Sequence, residues 1–217
     1  MVHQMQASGP QTPDLLLLSG GIESSALLVR QREQGAPLRA AWVDYGQRNA
    51  ERERAAAAAL AAEYAVEPLF LDLGSLRPAF TRRSEWVGHV PLPQRNLLVL
   101  ALAVNLAEHH GAGRILLALN REDQGHGPGS RVEFVDQFSR LAGSLVPGLA
   151  VEAPLIAQSK AEIIRQTDPL GIDWRHTWSC LLAQSRHCGR CPQCQARRAA
   201  FAAAGIPDPT DYRESPR

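Results

Sequence analysis

The chain is almost without lysine. Lys160 is the only one, and arginine supplies the rest of the positive charge. A genome-wide bias would produce that, but it singles out Lys160 as a residue to account for. Long apolar runs are absent too. None approaches the ~18 residues that a membrane-spanning helix needs. Residues 1–13 are polar, lack the charged-then-apolar order of a secretory signal, and read as a loose tail. Charge of one sign is also missing. A formal net charge of +1 leaves no acidic tail and no overall field to draw in nucleic acid. Cysteine does not occur before Cys180, and the four present are Cys180, Cys188, Cys191 and Cys194. A disulfide framework would spread them along the chain, whereas crowding reads as a metal site in a reducing compartment, hence a cytoplasmic protein. What is abundant is ordinary. With 217 residues, 45% hydrophobic and 21% charged, the chain can bury the core of one globular domain with a small appendage.

Strand and helix signals alternate through most of the sequence. Asp14 to Leu18 is a short apolar run followed by Gly20-Gly21, as for a buried parallel strand. Helices are expected at Ser24–Gln34, Asn49–Tyr64, Asn96–His109, Val132–Leu145, Ser159–Asp168 and Gln195–Ala204. The Asn96–His109 helix is apolar on most faces and is expected to be buried. Ser159 with Glu162 three residues on predicts a capping box. Further strands are expected at Leu38–Val43, Glu67–Leu73, Arg114–Leu119 and Val151–Ala153, with loops over 74–94 and 121–131. This order predicts an α/β fold, a doubly wound parallel sheet, because a parallel crossover needs a helix-length connection. The organisation read from it is a tail over 1–13, a nucleotide-binding domain over 14–170 and a metal-binding subdomain over 171–217.

In such sheets ligands bind beyond the C-terminal ends of the strands. The segment Ser19-Gly20-Gly21-Ile22-Glu23-Ser24-Ser25 falls there, after a strand and at the opening of a helix. Its glycines let backbone amides approach an anion, the helix N-terminus adds donors, and three serine hydroxyls are at hand. Glu23 beside an anion makes sense with Mg²⁺ between them. The plainer reading is a strand-to-helix turn with glycine for geometry and serine for a cap. The segment is neither a Walker A loop nor a Rossmann fingerprint. Lys160, in a first helical turn, either snorkels into solvent or meets an anion. Arg95 is always charged and should face a carboxylate or phosphate. Asp44, Gln47 and Arg48 end the second strand, where nucleotide contacts occur; Asp44 could equally cap the next helix. Asp123 and Glu133, with Arg131 between them in sequence, could read the amidine edge of a guanine-like ring or be solvated loop acids. Trp86, Phe134 and Trp178 could stack on a base or fill core.

The cysteine stretch gives one distant thiol and two interleaved CxxC spacings. Four thiolates with no open position suit a structural Zn²⁺. A redox pair, an iron–sulfur cluster and core cysteines are the competing readings. Arg186, Arg190, Arg197 and Arg198 can offset thiolate charge, and His176 and His187 are taken as neighbours of the site rather than ligands.

The Ser-Gly-Gly-x-acid-Ser pattern resembles the pyrophosphate loop of the N-type ATP pyrophosphatases. More narrowly, the chain resembles the 7-cyano-7-deazaguanine synthases of the queuosine pathway. The resemblance rests on Ser19-Gly20-Gly21, Asp44-Tyr45-Gly46-Gln47-Arg48, Arg95-Asn96, Asn120-x-Glu122-Asp123 and Glu133-Phe134. It continues through Glu152-Ala153-Pro154-Leu155, Ser159-Lys160-Ala161-Glu162-Ile163-Ile164, the cysteines and Ala204-Gly205-Ile206-Pro207-Asp208-Pro209-Thr210. These pieces run in family order from about residue 14 to residue 212.

The resemblance implies an adenine nucleotide alpha hydrolase-like sheet and an ATP-dependent carbon–nitrogen ligase. The carboxylate of 7-carboxy-7-deazaguanine is adenylated, ammonia displaces AMP to give an amide, and a second ATP activates the amide oxygen for loss to the nitrile. ATP with Mg²⁺ would lie on Leu18 to Ser25, Asp44, Gln47 and Arg48. Ser24, Lys160 and Arg95 would stabilise departing charge. Asn96, Asp123, Arg131, Glu133 and Phe134 would hold the deazaguanine, Zn²⁺ would sit on the four cysteines, and the protein would often be a homodimer.

Three departures stand out. Glu23 replaces the family's usual Asp, and Pro128-Gly129-Ser130-Arg131-Val132-Glu133-Phe134 replaces its usual Pro-Asp-Cys-Arg-Pro-Glu-Phe. Leu92-Pro93-Gln94 also replaces Val-Pro-Ala. The last two fall around the acceptor and leave the ATP and zinc elements intact. The alternative is therefore a member that stops at the amide or joins the carboxylate to another amine, perhaps on a protein. An enzyme acting on transfer RNA would need a basic groove, which the charge balance does not favour. A non-catalytic zinc-stabilised module would show no ATP turnover.

Overall fold

The computed structural model describes residues 12–76, 78, 92, 94–182 and 184–213. Most of the 1–13 tail, much of the 74–94 loop and Trp86 lie outside them. Five strands form one parallel sheet in the order β3-β2-β1-β4-β5: β1 (Asp14–Leu17), β2 (Leu38–Asp44), β3 (Pro68–Asp72), β4 (Arg114–Leu116) and β5 (Ala150–Glu152). The connecting helices are α1 (Ile22–Glu33), α2 (Ala50–Glu63), α3 (Arg95–His110), α4 (Val132–Leu145), α5 (Lys160–Thr167) and α6 (Pro192–Ala204).

The two-residue period of the strands divides the core in two. Leu16, Leu18, Ala40, Trp42 and Leu116 face one layer, where α1, α2, α5 and α6 contribute Leu27, Leu60, Ile163, Ile164 and Phe201. Leu15, Leu17, Ala41, Ile115 and Val151 face the other, with Leu100, Val104 and Ala107 of α3 and Val135, Phe138 and Ala142 of α4. Runs such as Leu15-Leu16-Leu17-Leu18 are apolar throughout because both faces of a parallel sheet are covered. The helices begin and end within a few residues of the sequence reading. The Ser159–Glu162 capping box is present, with Glu162 N–H donating to Ser159 Oγ at 3.2 Å and Ser159 N–H to Glu162 Oε2 at 2.7 Å.

One helix differs from expectation. α3 buries only one face, and Leu97 is 47% exposed. Its apolar content exceeds what its single packed stripe requires. No helix among the described residues is long and apolar enough to cross a membrane. The chain order reverses between β1 and β4, which makes the gap beyond their C-terminal ends the topological switch point of the sheet.

Candidate nucleotide site and metal centre

The Ser19–Ser25 loop follows β1 at that switch point. Gly20 has φ +78°, and a Cβ there would lie 2.8 Å from Ala56 Cβ and 2.9 Å from both Ala57 N and Glu53 O. Helix α2 thus seats its small alanines directly on the loop, and only glycine fits. Gly21 begins α1 in an extended conformation with no side-chain cap. The Gly21 N–H donates to Ser19 Oγ at 3.3 Å, and the positive end of the helix dipole faces the gap. Leu18 and Ile22 are buried to within 1% of full cover, so these two residues can offer a ligand only their backbone. Ser19 is exposed and its Oγ lies 3.1 Å from Ser24 Oγ. Ser24 and Ser25 hydroxyls donate to Gly21 C=O at 3.3 and 2.7 Å; Ser25 is fully buried and holds the turn.

Polar groups from two other segments close on this loop. Lys160 Nζ lies 2.8 Å from Glu23 Oε1, and Asn120 Nδ2 donates to the same oxygen at 2.7 Å. Asn120, just beyond β4, also exchanges hydrogen bonds with Asp123 at 3.0 and 2.9 Å. Burial opposes the charge of both partners, but Lys160 keeps Glu23 below the usual carboxylate range and Glu23 keeps Lys160 above the usual lysine range. Asp123 is pushed up, first by burial and then by the Glu23 charge. Two carboxylates and one ammonium beside an amide-rich turn make a place where a metal-bound polyanion can settle.

A second polar group lies beyond β2. Asp44 Oδ1 accepts from Gly46 N–H at 2.7 Å, shaping the turn, while Asn49 rather than Asp44 is the N-cap residue of α2. Gln47 Oε1 accepts from Tyr45 N–H at 2.9 Å and its amide donates to Glu53 at 3.0 Å. Arg95 donates to Tyr45 Oη at 3.3 Å and to Asn96 Oδ1 at 3.2 Å. Burial would lower its pKa, but Tyr45, Glu53 and Asp123 hold it raised. Among the described residues no ion pair takes up its charge. Glu53 is pushed up by burial.

The acceptor residues are less gathered. Asn96 is 9% exposed and donates to Gly129 C=O at 2.8 Å and to Ser130 Oγ at 3.4 Å, so it holds the 128–130 turn. Phe134 stands 5.9 Å from Phe138 against the second core layer. The side chains of Arg131, Glu133 and Arg48 are exposed, and among the described residues none of them makes a hydrogen bond or ion pair. Sequence reasoning did not single out Glu53, Asn49 or the Asn120–Glu23 contact. Asn49 and Glu53 stand four apart, the spacing of helical neighbours, which was the available signal.

The sulfur atoms of Cys180, Cys188, Cys191 and Cys194 all lie within 4.8 Å of one another. A tetrahedron with ~2.3 Å zinc–sulfur bonds has edges of about 3.8 Å, and Cys188 Sγ to Cys194 Sγ is 3.9 Å. Backbone amides already point at the sulfurs: Leu182 and Cys188 N–H donate to Cys180 at 3.4 Å, and Cys191 N–H to Cys188 at 3.2 Å. Burial raises the Cys188 thiol, but the amides of Arg190 and Cys191, together with the Cys180 and Cys191 thiols, bring it down to about 7. The donor set fits a metal ion with four soft ligands. His187 lies outside the set. Its Nε2 accepts from Ser179 N–H at 3.0 Å and its ring stacks on Trp178 at 4.2 Å.

Arg197, fully buried, donates to Thr177 Oγ1 at 2.7 Å and Trp174 C=O at 2.9 Å and pairs with Asp208 at 3.3 Å. It fastens the cysteine segment to the C-terminal Asp208–Thr210 turn.

A family profile described as "Queuosine biosynthesis protein QueC" matches residues 14–205. A 7-cyano-7-deazaguanine synthase of Thiobacillus denitrificans is 40% identical over 91% of this chain and 97% of its own length. One of Xanthomonas campestris pv. campestris is 39% identical over 91% and 96%. Among solved structures, an NMN synthetase from Francisella tularensis shares the fold with a TM-score of 0.56 at 15% identity, covering 91% of this chain and 79% of that one. The switch-point loop, the carboxylates and lysine around it and the four-sulfur cluster are thus carried by a chain that belongs to the family of queuosine biosynthesis protein QueC.

Proposed function

We propose that the protein is an ATP-dependent carbon–nitrogen ligase that converts 7-carboxy-7-deazaguanine, with ammonia, through the amide to 7-cyano-7-deazaguanine. The observation that carries this reading is the uncapped start of α1 at the β1/β4 switch point with Lys160 and Glu23 paired over it. The names of relatives that align along nearly their whole length support it.

The chemistry needs several phosphate charges neutralised, a carboxylate oxygen held at the α-phosphorus and water kept from the adenylate. Amides of Gly20 to Ser24 and the hydroxyls of Ser19 and Ser24 cradle the pyrophosphate. Glu23 and Asp123 would hold the Mg²⁺ that accompanies ATP, and Lys160 would turn its charge to a phosphate. Arg95, charged and held between Tyr45 and Asn96, takes the remaining developing charge. Asp44, Gln47 and Arg48 lie along the nucleotide. Asn96, Asp123, Arg131, Glu133 and Phe134 border the acceptor, of which Asn96 is buried and hydrogen-bonded and Asp123 is half-buried and hydrogen-bonded to Asn120.

In each half of the reaction an oxygen attacks the α-phosphorus and pyrophosphate leaves. Ammonia then displaces AMP to give the amide. In the second half, AMP and a proton leave to give the nitrile. No covalent nucleophile on the protein is required. Zinc on the four cysteines supplies folding energy and a fixed turn, with no open position for substrate.

We extend the reading to a cytoplasmic homodimer with no direct contact to nucleic acid or membrane, and to a metal-bound subdomain from about residue 171. Incubation with the carboxylate, Mg²⁺·ATP and ammonium tests the reaction. The nitrile with AMP is expected. An amide that goes no further, or a conjugate with another amine, would overturn the second half.

A further inference from the structure

The cysteine cluster and the phosphate loop are joined by hydrogen bonds that neither site needs for its own construction. Trp178 N–H donates to Gly20 C=O at 2.8 Å. In a planar trans peptide, the Gly20 carbonyl and the Gly21 N–H point in opposite directions. Anchoring that carbonyl therefore fixes the aim of the Gly21 amide, which donates to Ser19 Oγ at 3.3 Å.

Trp178 lies two residues before the ligand Cys180, and its indole Nε1 donates to Cys180 C=O at 2.8 Å. The same carbonyl accepts from Asn49 Nδ2 at 3.0 Å. Asn49 is 2% exposed, is the N-cap residue of α2, and also donates to Glu53 Oε1 at 3.0 Å. Helix α2 is the element that presses on Gly20 through Glu53, Ala56 and Ala57. The Gly20 peptide is thus gripped from two sides, by the 178–180 segment and by α2. Both grips meet at the backbone of one cysteine.

We propose that the cluster, with its metal ion bound, sets the conformation of the phosphate loop through the Cys180 carbonyl. Trp178 and Asn49 are the positioning residues, so metal and nucleotide bind with positive coupling. This rests on the nucleotide reading of the loop. Without the metal, the Cys180 sulfur is held only by weak bonds from the Leu182 and Cys188 amides, and the 178–182 segment loses its anchor at that sulfur. The loop then samples other peptide orientations, and the nucleotide must select the competent one. Linkage makes the effect reciprocal: whatever factor zinc adds to nucleotide affinity, nucleotide adds to zinc affinity.

The test uses the full zinc-loaded chain. A non-hydrolysable ATP analogue with Mg²⁺ is titrated calorimetrically before and after zinc removal. Zinc affinity is measured by competition with a chromogenic chelator, with and without the analogue. The wild type should show the same factor in both directions, about tenfold. Asn49→Ala and Trp178→Phe should retain one zinc per chain while that factor falls towards one.

Analogue binding to the wild type with no change in zinc affinity would overturn the coupling and leave the proposed function standing. Full coupling in both variants would remove Trp178 and Asn49 from it. Loss of zinc from either variant would make that residue part of the cluster's support rather than its link to the loop. No analogue binding to the zinc-loaded wild type would overturn the proposed function itself.

Discussion

The phosphate loop and the cysteine cluster are neighbours built in opposite ways. The cluster takes its four ligands from one stretch, Cys180 to Cys194, and its geometry follows from local turns whose amides point at sulfur. The nucleotide end takes Ser19–Ser25 from the end of β1, Glu53 from α2, Arg95 from α3, Asn120 and Asp123 from beyond β4, and Lys160 from α5. These come together only because the sheet order brings β1 beside β4. The first site offers four gathered sulfurs to a metal ion, whereas the second is held by side-chain pairs. A single change should therefore act differently in each: on chemistry at the nucleotide end, on stability at the cluster.

The largest expected effect lies at the nucleotide end. Lys160→Ala and Ser24→Ala should each lower AMP release by about a hundredfold or more, the usual consequence of removing one preorganised charge-stabilising donor. Lys160→Ala also leaves Glu23 buried without its cation, so its carboxyl should titrate higher, as a carboxyl infrared or NMR signal would show. Wild-type turnover in both variants would break the contrast by making the loop structural.

Next comes the cluster. Cys191→Ser should lower bound zinc, read by elemental analysis, and bring down the thermal unfolding midpoint, because metal binding is folding energy. Full metal content would contradict the four-sulfur set.

Gly20→Ala sharpens the comparison at the seam. Its Cβ would meet Ala56 and Ala57 at under 3 Å in a left-handed backbone. A cost of about 2–4 kcal/mol in urea unfolding is expected from overpacking plus strain.

The smallest effect lies on the connector between the two regions. Asp173 is held down to about 2, mainly by hydrogen bonds from the Arg175 side chain and backbone. A carboxyl with a depressed folded pKa contributes stability above its unfolded value, near 4, and loses it as pH falls through about 2. Asp173→Asn should therefore lose less stability than the wild type between pH 4 and pH 2 in denaturant titrations.

The same contrast explains what could be read from the sequence. The cluster was legible because its ligands and spacing are local. The loop was legible as a strand, two glycines and a helix start, and the alternation of elements gave the doubly wound sheet. The Lys160–Glu23 pair was only partly legible. The capping box placed Lys160 in a first helical turn with an anion to meet, but nothing local named Glu23, which lies far away in the chain. Glu53 sits in an alanine-rich helix beside Glu51 and looks like any solvated acid until α2 is docked on Gly20. Trp178 read as an aromatic for stacking or core, whereas its backbone amide is the group that reaches the loop. The α3 helix misled through composition: its apolar residues extend round to Leu97, well beyond the face it packs. Arg131 and Glu133 were read from their place around the 125–129 loop and from the resemblance, and no side-chain hydrogen bond or ion pair among the described residues draws them in.

The account turns on carboxylate activation at the β1/β4 switch point. The mass of the product formed from 7-carboxy-7-deazaguanine, ammonium and Mg²⁺·ATP tests it most directly. The account predicts the nitrile, with two AMP released for each nitrile formed. Recovery of unchanged carboxylate with no AMP, from zinc-loaded folded protein, would contradict it.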